Sequence, residues 1–174
     1  MGAKDTFRGI TLSRQPSTDI MDINTEALAP ITLDLSKDVP RSPRQLLGDY
    51  VIAGRTLDKC RAVLLDKADE YHFACPLDNL FFEFTGIQAD AFKEYVATGA
   101  SDEDVAEWIG RTAKERDRTD IILWNNDLRY KRINEMAPEL QLFLEDYIPE
   151  FIPADKLTQL RYWFDVYDLE EGRM

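Results

Sequence analysis

A cysteine, a histidine and a cluster of guanidinium groups are the side chains of this sequence that could do chemistry. Cys75 stands three residues after His72, the only histidine, and directly before Pro76. If Cys75 caps a helix that begins at Pro76, its sulfur lies among unpaired amides at the positive helix end, which favours a thiolate. His72 could then serve as the base, with Asp58 or Asp78 orienting its ring, which is the three-part logic of nucleophilic catalysis. Asp78 falls at the capping-box position of the same helix, where it would satisfy amides itself and oppose a thiolate. The plainer reading is a buried structural cysteine, with Asp78 as the cap and His72 as a turn residue.

The second group is cationic. Arg41, Arg44, Arg55, Lys59 and Arg61 fall within 21 residues of an otherwise acidic chain. A guanidinium offers a planar fork matched to carboxylate or phosphate. Asp58 could orient one arginine, and Tyr71 and Asp78 complete the candidate ligand-binding set. The alternative is internal pairing of these cations with acids of later helices.

Thirty-three acids against twenty-one bases give a net charge of −12. Such a surface repels phosphate backbones and anionic lipid, which disfavours nucleic-acid and membrane partners. The distribution is uneven. Residues 37–67 and 111–132 are basic islands of +3 each, whereas 68–110 carry −9 and 133–174 carry −7. No Gly-rich phosphate loop or dinucleotide fingerprint occurs, so no cofactor is implied. One histidine and two cysteines without CxxC or HxxxH spacing argue against a metal site. Asp102, Glu103 and Asp104 read as the acidic first turn of a helix rather than as ligands. Cys60 and Cys75 are too few for a disulfide framework. No apolar run nears the ~18–20 residues that span a bilayer, and no secretory signal is recognisable. The expected location is the cytoplasm. Met1-Gly2-Ala3-Lys4-Asp5-Thr6 fits the loose N-myristoylation pattern, which chance also supplies.

The elements that must position these groups are helical. Residues 1–36 show no sustained period and read as a flexible or surface-draped arm, with Ile31 to Leu35 alternating like a strand or docking strip. Residues 37–174 read as a single helical domain. Ser42 and Pro43 suggest a short helix ended by Gly48. Leu57, Cys60 or Arg61, Leu64 and Ala68 keep helical steps. A helix from Pro76 ends at Gly86, and another around Phe92 and Tyr95 ends at Gly99. Ser101 caps a third. A break at 117–119 precedes the helix of Trp124, flanked by Asn125 and Asn126, and Pro138 restarts the chain. Pro149 and Pro153 bracket a linker before a last helix opened by Asp155. Asp165, Asp168, Glu170, Glu171 and Arg173 read as a solvated tail, with Arg173 able to fold back into a charge network. Trp108, Trp124 and Trp163 sit on apolar faces and belong to the core. The expectation is an all-α, irregular bundle of six or seven short helices with an extended N-terminal arm.

Four stretches carry a family resemblance. They are Pro40-Arg41-Ser42-Pro43-Arg44, Leu57-Asp58-Lys59-Cys60-Arg61-Ala62, Glu70 to Asp78, and Trp163-Phe164-Asp165 through Glu171-Gly172-Arg173. In order and spacing they resemble a mainly bacterial family catalogued as a domain of unknown function, number five thousand and sixty-nine, over about residues 29–173. The resemblance implies a helical cytosolic protein and no particular activity. Ala53-Gly54 stands where the family usually shows Leu-Pro, and Cys60 where a small residue is usual.

Three function classes follow. The first is a non-catalytic binding module that takes a small anion or an acidic protein segment on the arginine cluster. The second is a thiol-dependent enzyme or redox sensor built on Cys75 with His72. The third is a structural or interaction protein whose N-terminal arm orders on a partner. The residues leave the oligomeric state open.

Overall fold

The computed structural model describes residues 21–174, so the myristoylation pattern and most of the arm lie outside the described residues. The described chain is all-α, in the order α1 (Thr25–Leu28), α2 (Ala53–Leu64), α3 (Pro76–Thr85), α4 (Ala89–Ala97), α5 (Asp102–Thr112), α6 (Arg118–Arg129), α7 (Pro138–Phe151) and α8 (Trp163–Glu170). Three 3-10 segments, Ala29–Ile31, Ile133–Glu135 and Ala154–Gln159, join them. Among the described residues there is no strand, only an isolated bridge between Leu47 and Tyr50.

Helix α2 runs through the middle and packs against α3 and α4, while α6 packs against α8. Its main core gathers Val51, Ile52, Leu57, Phe81, Phe92 and Ile109 around it. Leu144, Tyr147, Ile152, Val166 and Leu169 make a second core under α7 and α8, and Trp163 touches both. Helix α2 starts from an unusual turn. Ile52 has φ +70° and ψ −37°, and the Ala53 amide donates to Val51 O at 2.8 Å. That is a γ-turn of the strained, positive-φ kind, rare for a β-branched residue. Buried Asn125 holds it in place. Its Oδ1 accepts from the Val51 amide at 3.0 Å, and its Nδ2 donates to Asp49 O at 2.7 Å. At the other end Asp66, at φ +56°, closes α2 in a Schellman motif, with Lys67 N to Ala62 O at 2.8 Å and Asp66 N to Val63 O at 3.3 Å.

Several boundaries follow their residues. Cys75 is the N-cap residue of α3 with Pro76 in the first turn, and Gly86 ends it at φ +73°. Ser101 and Asp104 form a full capping box on α5. Elsewhere the chain departs from expectation. No helix forms after Pro43, because Ser42 Oγ accepts from the Arg44 amide at 3.2 Å and donates to Asp168 at 3.1 Å instead of capping. Helix α2 stops before Ala68. Pro149 lies in the last turn of α7, where its missing amide removes one helical donor close to the end of the helix. The last helix begins at Trp163, and Asp155 opens only a 3-10 segment.

Residues 21–36 are held to the body. Asn24 caps α1 and also ties it to α4, through Asn24 N to Ala97 O at 2.8 Å and Nδ2 to Thr98 O at 3.1 Å. Leu28 and Leu35 are buried. Ile31 to Leu35 includes the end of a 3-10 segment rather than a strand. Gly99 permits this docking. It sits at φ +90°, and a Cβ there would lie 2.4 Å from the Ala27 methyl. Gly99→Ala is therefore expected to lower unfolding stability in urea by about 1–3 kcal/mol, through strain and loss of α1 docking. A change within experimental error would mean that α1 is not held at Gly99.

Candidate functional site

Ten of the twelve residues of α2 are buried, and four of them carry charge. Arg55 is 1% exposed, Asp58 6%, Lys59 0% and Arg61 3%. Each of the four reaches a different part of the fold. A buried charge without a partner costs several kcal/mol, so each must find its counter-ion.

Asp58 is the counter-ion of Arg41. Arg41 donates from its backbone amide at 2.8 Å, from Nη2 at 2.7 Å and from Nε at 3.0 Å. Gly54 makes the room, since a Cβ there would press on the Arg41 Nε at 3.3 Å. Arg41 Nη1 and Arg61 Nη1 each donate to Asp102, at 2.6 Å and 2.6 Å. Arg61 also donates to Ala100 O at 2.8 Å. Burial alone would lower the Arg41 pKa, but Asp58 and then Asp102 outweigh it and the net shift is upward. For Asp102, burial pushes up, and Arg61 and Arg41 together hold the carboxyl below its ordinary value.

Helix α8 and the residues after it supply the other acids. Arg55 donates two bonds to Glu171, at 2.7 and 3.0 Å, and stacks between the Tyr167 and Tyr71 rings. Tyr71 also donates to Glu171, at 2.9 Å. Burial first, then the Glu171 charge, pushes the Tyr71 phenol up. Arg44 pairs with Asp165 and, at 3.2 Å, with Asp168. Arg173 folds back onto Asp168 at 2.9 Å and onto Glu171. The acids of 165–171 are thus no solvated tail. Spacing of three places Asp165, Asp168 and Glu171 along one side of the helix and its end, and that periodicity was the available signal.

Lys59 belongs to a third cluster. Its Nζ lies 3.0 Å from Asp78 Oδ1 and 3.0 Å from Cys75 Sγ. Thr56 Oγ1 donates to Asp78 Oδ1 at 2.9 Å, while Asp78 Oδ2 is buried without a hydrogen-bond partner. Asp78 faces α2 instead of capping α3, whose first turn has no side-chain cap bond. Cys75 is 6% exposed, whereas His72 is on the surface. Burial pushes the Cys60 thiol far above its ordinary range. Both cysteines are free thiols.

The candidate residues do not line one cleft. Arg41, Asp58 and Arg61 edge an open depression of about 500 Å³ with Asp102 and Glu103, so two guanidiniums there face three carboxylates. A second groove, also about 500 Å³, lies along α7. Its walls are Ile133, Leu144, Ile148, Leu157 and Leu160, and Arg132 and Arg161 stand at it with one acid, Glu145. Both arginines are exposed. Among the described residues neither guanidinium is in a salt bridge, although the Arg132 backbone amide donates to Glu135 at 3.2 Å and the Arg161 amide to Asp165 at 2.8 Å. Reading along the chain missed this groove, because Arg132 and Arg161 lie far apart in sequence on either side of α7.

The chain belongs to the family described as Domain of unknown function (DUF5069), which matches residues 37–173. No curated protein matches it. No helix among the described residues is long and apolar enough to cross a membrane.

Two outcomes follow from the ion pairs. Glu171→Gln leaves Arg55 buried with its charge uncompensated and should cost about 3–5 kcal/mol in chemical denaturation. Adding Arg55→Met should recover much of that loss, and no recovery would show that the pair is not the cause. Asp102 has a folded pKa below its unfolded value near 3.9. Its pairing therefore contributes stability above that value, lost as pH falls through the depressed folded one. Asp102→Asn should flatten the fall in stability below about pH 4, and an unchanged slope would contradict the pairing.

Proposed function

We propose that this protein is a non-catalytic binding domain for a small organic anion with an apolar body, held in the α7 groove. Support comes from one contrast. Arg41, Arg44, Arg55 and Arg61 already meet carboxylates, so little positive charge is left there for a ligand. The Arg132 and Arg161 guanidiniums form no salt bridge among the described residues and stand beside an apolar wall. A groove of about 500 Å³ falls within the range of small-molecule sites, which are mostly apolar with a few polar groups that fix orientation. An aliphatic or aromatic carboxylate would lay its chain against Leu144, Ile148 and Leu160 and its head group between the guanidiniums. Glu145 selects against a second negative charge farther along the ligand.

The test is thermal unfolding with octanoate, octanol and dicarboxylates of the same length. Octanoate is expected to raise the midpoint and the others to do so much less. At a hundred times its dissociation constant a ligand adds about 2.7 kcal/mol. Arg132→Gln with Arg161→Gln should abolish the octanoate shift while leaving the ligand-free midpoint nearly unchanged, since exposed cations contribute little to stability. Equal shifts with octanol, or an octanoate shift that survives both substitutions, would refute the site.

A further inference from the structure

We propose that Lys59 and Cys75 form a covalent, oxidant-induced nitrogen–sulfur bond, so that this buried pair is a modification site. It stands independently of the α7 groove. Cys75 lies at the N-terminal end of α3 with the Lys59 ammonium 3.0 Å from its sulfur. Both the helix end and the cation favour a thiolate, the form that attacks peroxides. Lys59 thus holds the position beside the thiol that the chain order suggests for His72. Its amine is already within contact distance of the atom it must attack, and both residues are held by packed helices. The pair also has a proton acceptor. Asp78 Oδ1 receives the ammonium, and its Oδ2 is a buried carboxylate oxygen with no hydrogen-bond partner. A buried carboxylate oxygen with an unfilled acceptor site is a ready seat for a proton.

The chemistry balances with hydrogen peroxide as the oxidant. The thiolate sulfur attacks one peroxide oxygen, the O–O bond breaks, and the departing hydroxide takes a proton to leave as water. Sulfur is oxidised by two electrons to a sulfenic acid, and peroxide is reduced. Asp78 takes a proton from the Lys59 ammonium. The freed amine attacks the sulfenic sulfur, forms the N–S bond and expels hydroxide. That hydroxide leaves as water with the proton held by Asp78, and the second proton lost by nitrogen returns to solvent, which supplied the proton of the first step. In sum, one thiolate, one ammonium and one peroxide give a sulfenamide and two waters. Because Cys75 is 6% exposed, small oxidants are favoured over bulky disulfides such as oxidised glutathione.

The experiment treats the full chain with hydrogen peroxide and follows intact mass and peptide maps. A disulfide between Cys60 and Cys75 would cause the same loss of two hydrogens, so Cys60→Ser is the reference protein. There the mass is expected to fall by two hydrogens, trypsin to stop cutting after Lys59, and dithiothreitol to restore both. Cys75→Ser should abolish the change. Lys59→Met should divert Cys75 to sulfinic acid, and if the stranded Asp78 unfolds that variant, the blocked tryptic site in the Cys60→Ser protein still decides the matter. Three results would overturn the proposal. They are a mass loss that disappears with Cys60→Ser, a sulfinic Cys75 beside an unmodified Lys59, and a Cys75 that stays reduced until urea unfolds the chain.

Discussion

Four ionised side chains on one buried helix constrain everything around them. An unpaired charge in a protein interior is so costly that Arg55, Asp58, Lys59 and Arg61 can be buried only if their counter-ions arrive with them. The fold supplies them from separate places. Glu171 comes from the end of α8, Arg41 from the turn before α2, Asp78 from α3 and Asp102 from the first turn of α5. Each pair fixes one element against α2, so the apolar core and the ionic contacts specify the same arrangement. Such pairs contribute less to stability than apolar packing of equal volume would, and their effect is greatest on which partner goes where. The strained turn at Ile52 serves the same end. It lies directly before the helix that carries the four charges, and Asn125 holds the backbone that must bend.

Local chemistry made much of this architecture readable from the chain. Pro76, Gly86, Gly99, Ser101 and Pro138 mark helix ends through properties that do not depend on distant residues: a missing amide donor, a permitted positive φ or a side-chain cap. The features that escaped reading depend on residues remote in sequence. Ser42 and Pro43 are a good helix start in isolation, but Asp168 captures the serine hydroxyl, 126 positions away. Asp66 closes α2 without a glycine, and a β-branched Ile52 at positive φ contradicts its own preference. The same split runs through the candidate site. Residue types in the 41–61 segment correctly suggest that arginines and acids interact. Which acids they meet depends on Asp165, Asp168 and Glu171 lying along one side of the chain's end, and on that side facing inward.

The proposed α7 groove and the proposed Lys59–Cys75 pair share one small molecule without sharing a cavity. The α7 groove is open and its cations are solvent-facing, so a ligand could exchange there without disturbing the core. The Lys59–Cys75–Asp78 group is enclosed between α2 and α3, where motion is restricted and a change in bonding would be felt by both helices. Trp163 packs against both cores.

The ion pair between Arg55 and Glu171 spans 116 positions. A chain made from its N-terminus on the ribosome exposes Arg55 long before its counter-ion has been synthesised. Through that interval Arg55 alone of the four charges on α2 lacks its counter-ion, since Arg41, Asp78 and Asp102 all come earlier in the chain. The contact that matches all four charges of α2 is therefore the last of its ion pairs that synthesis makes possible.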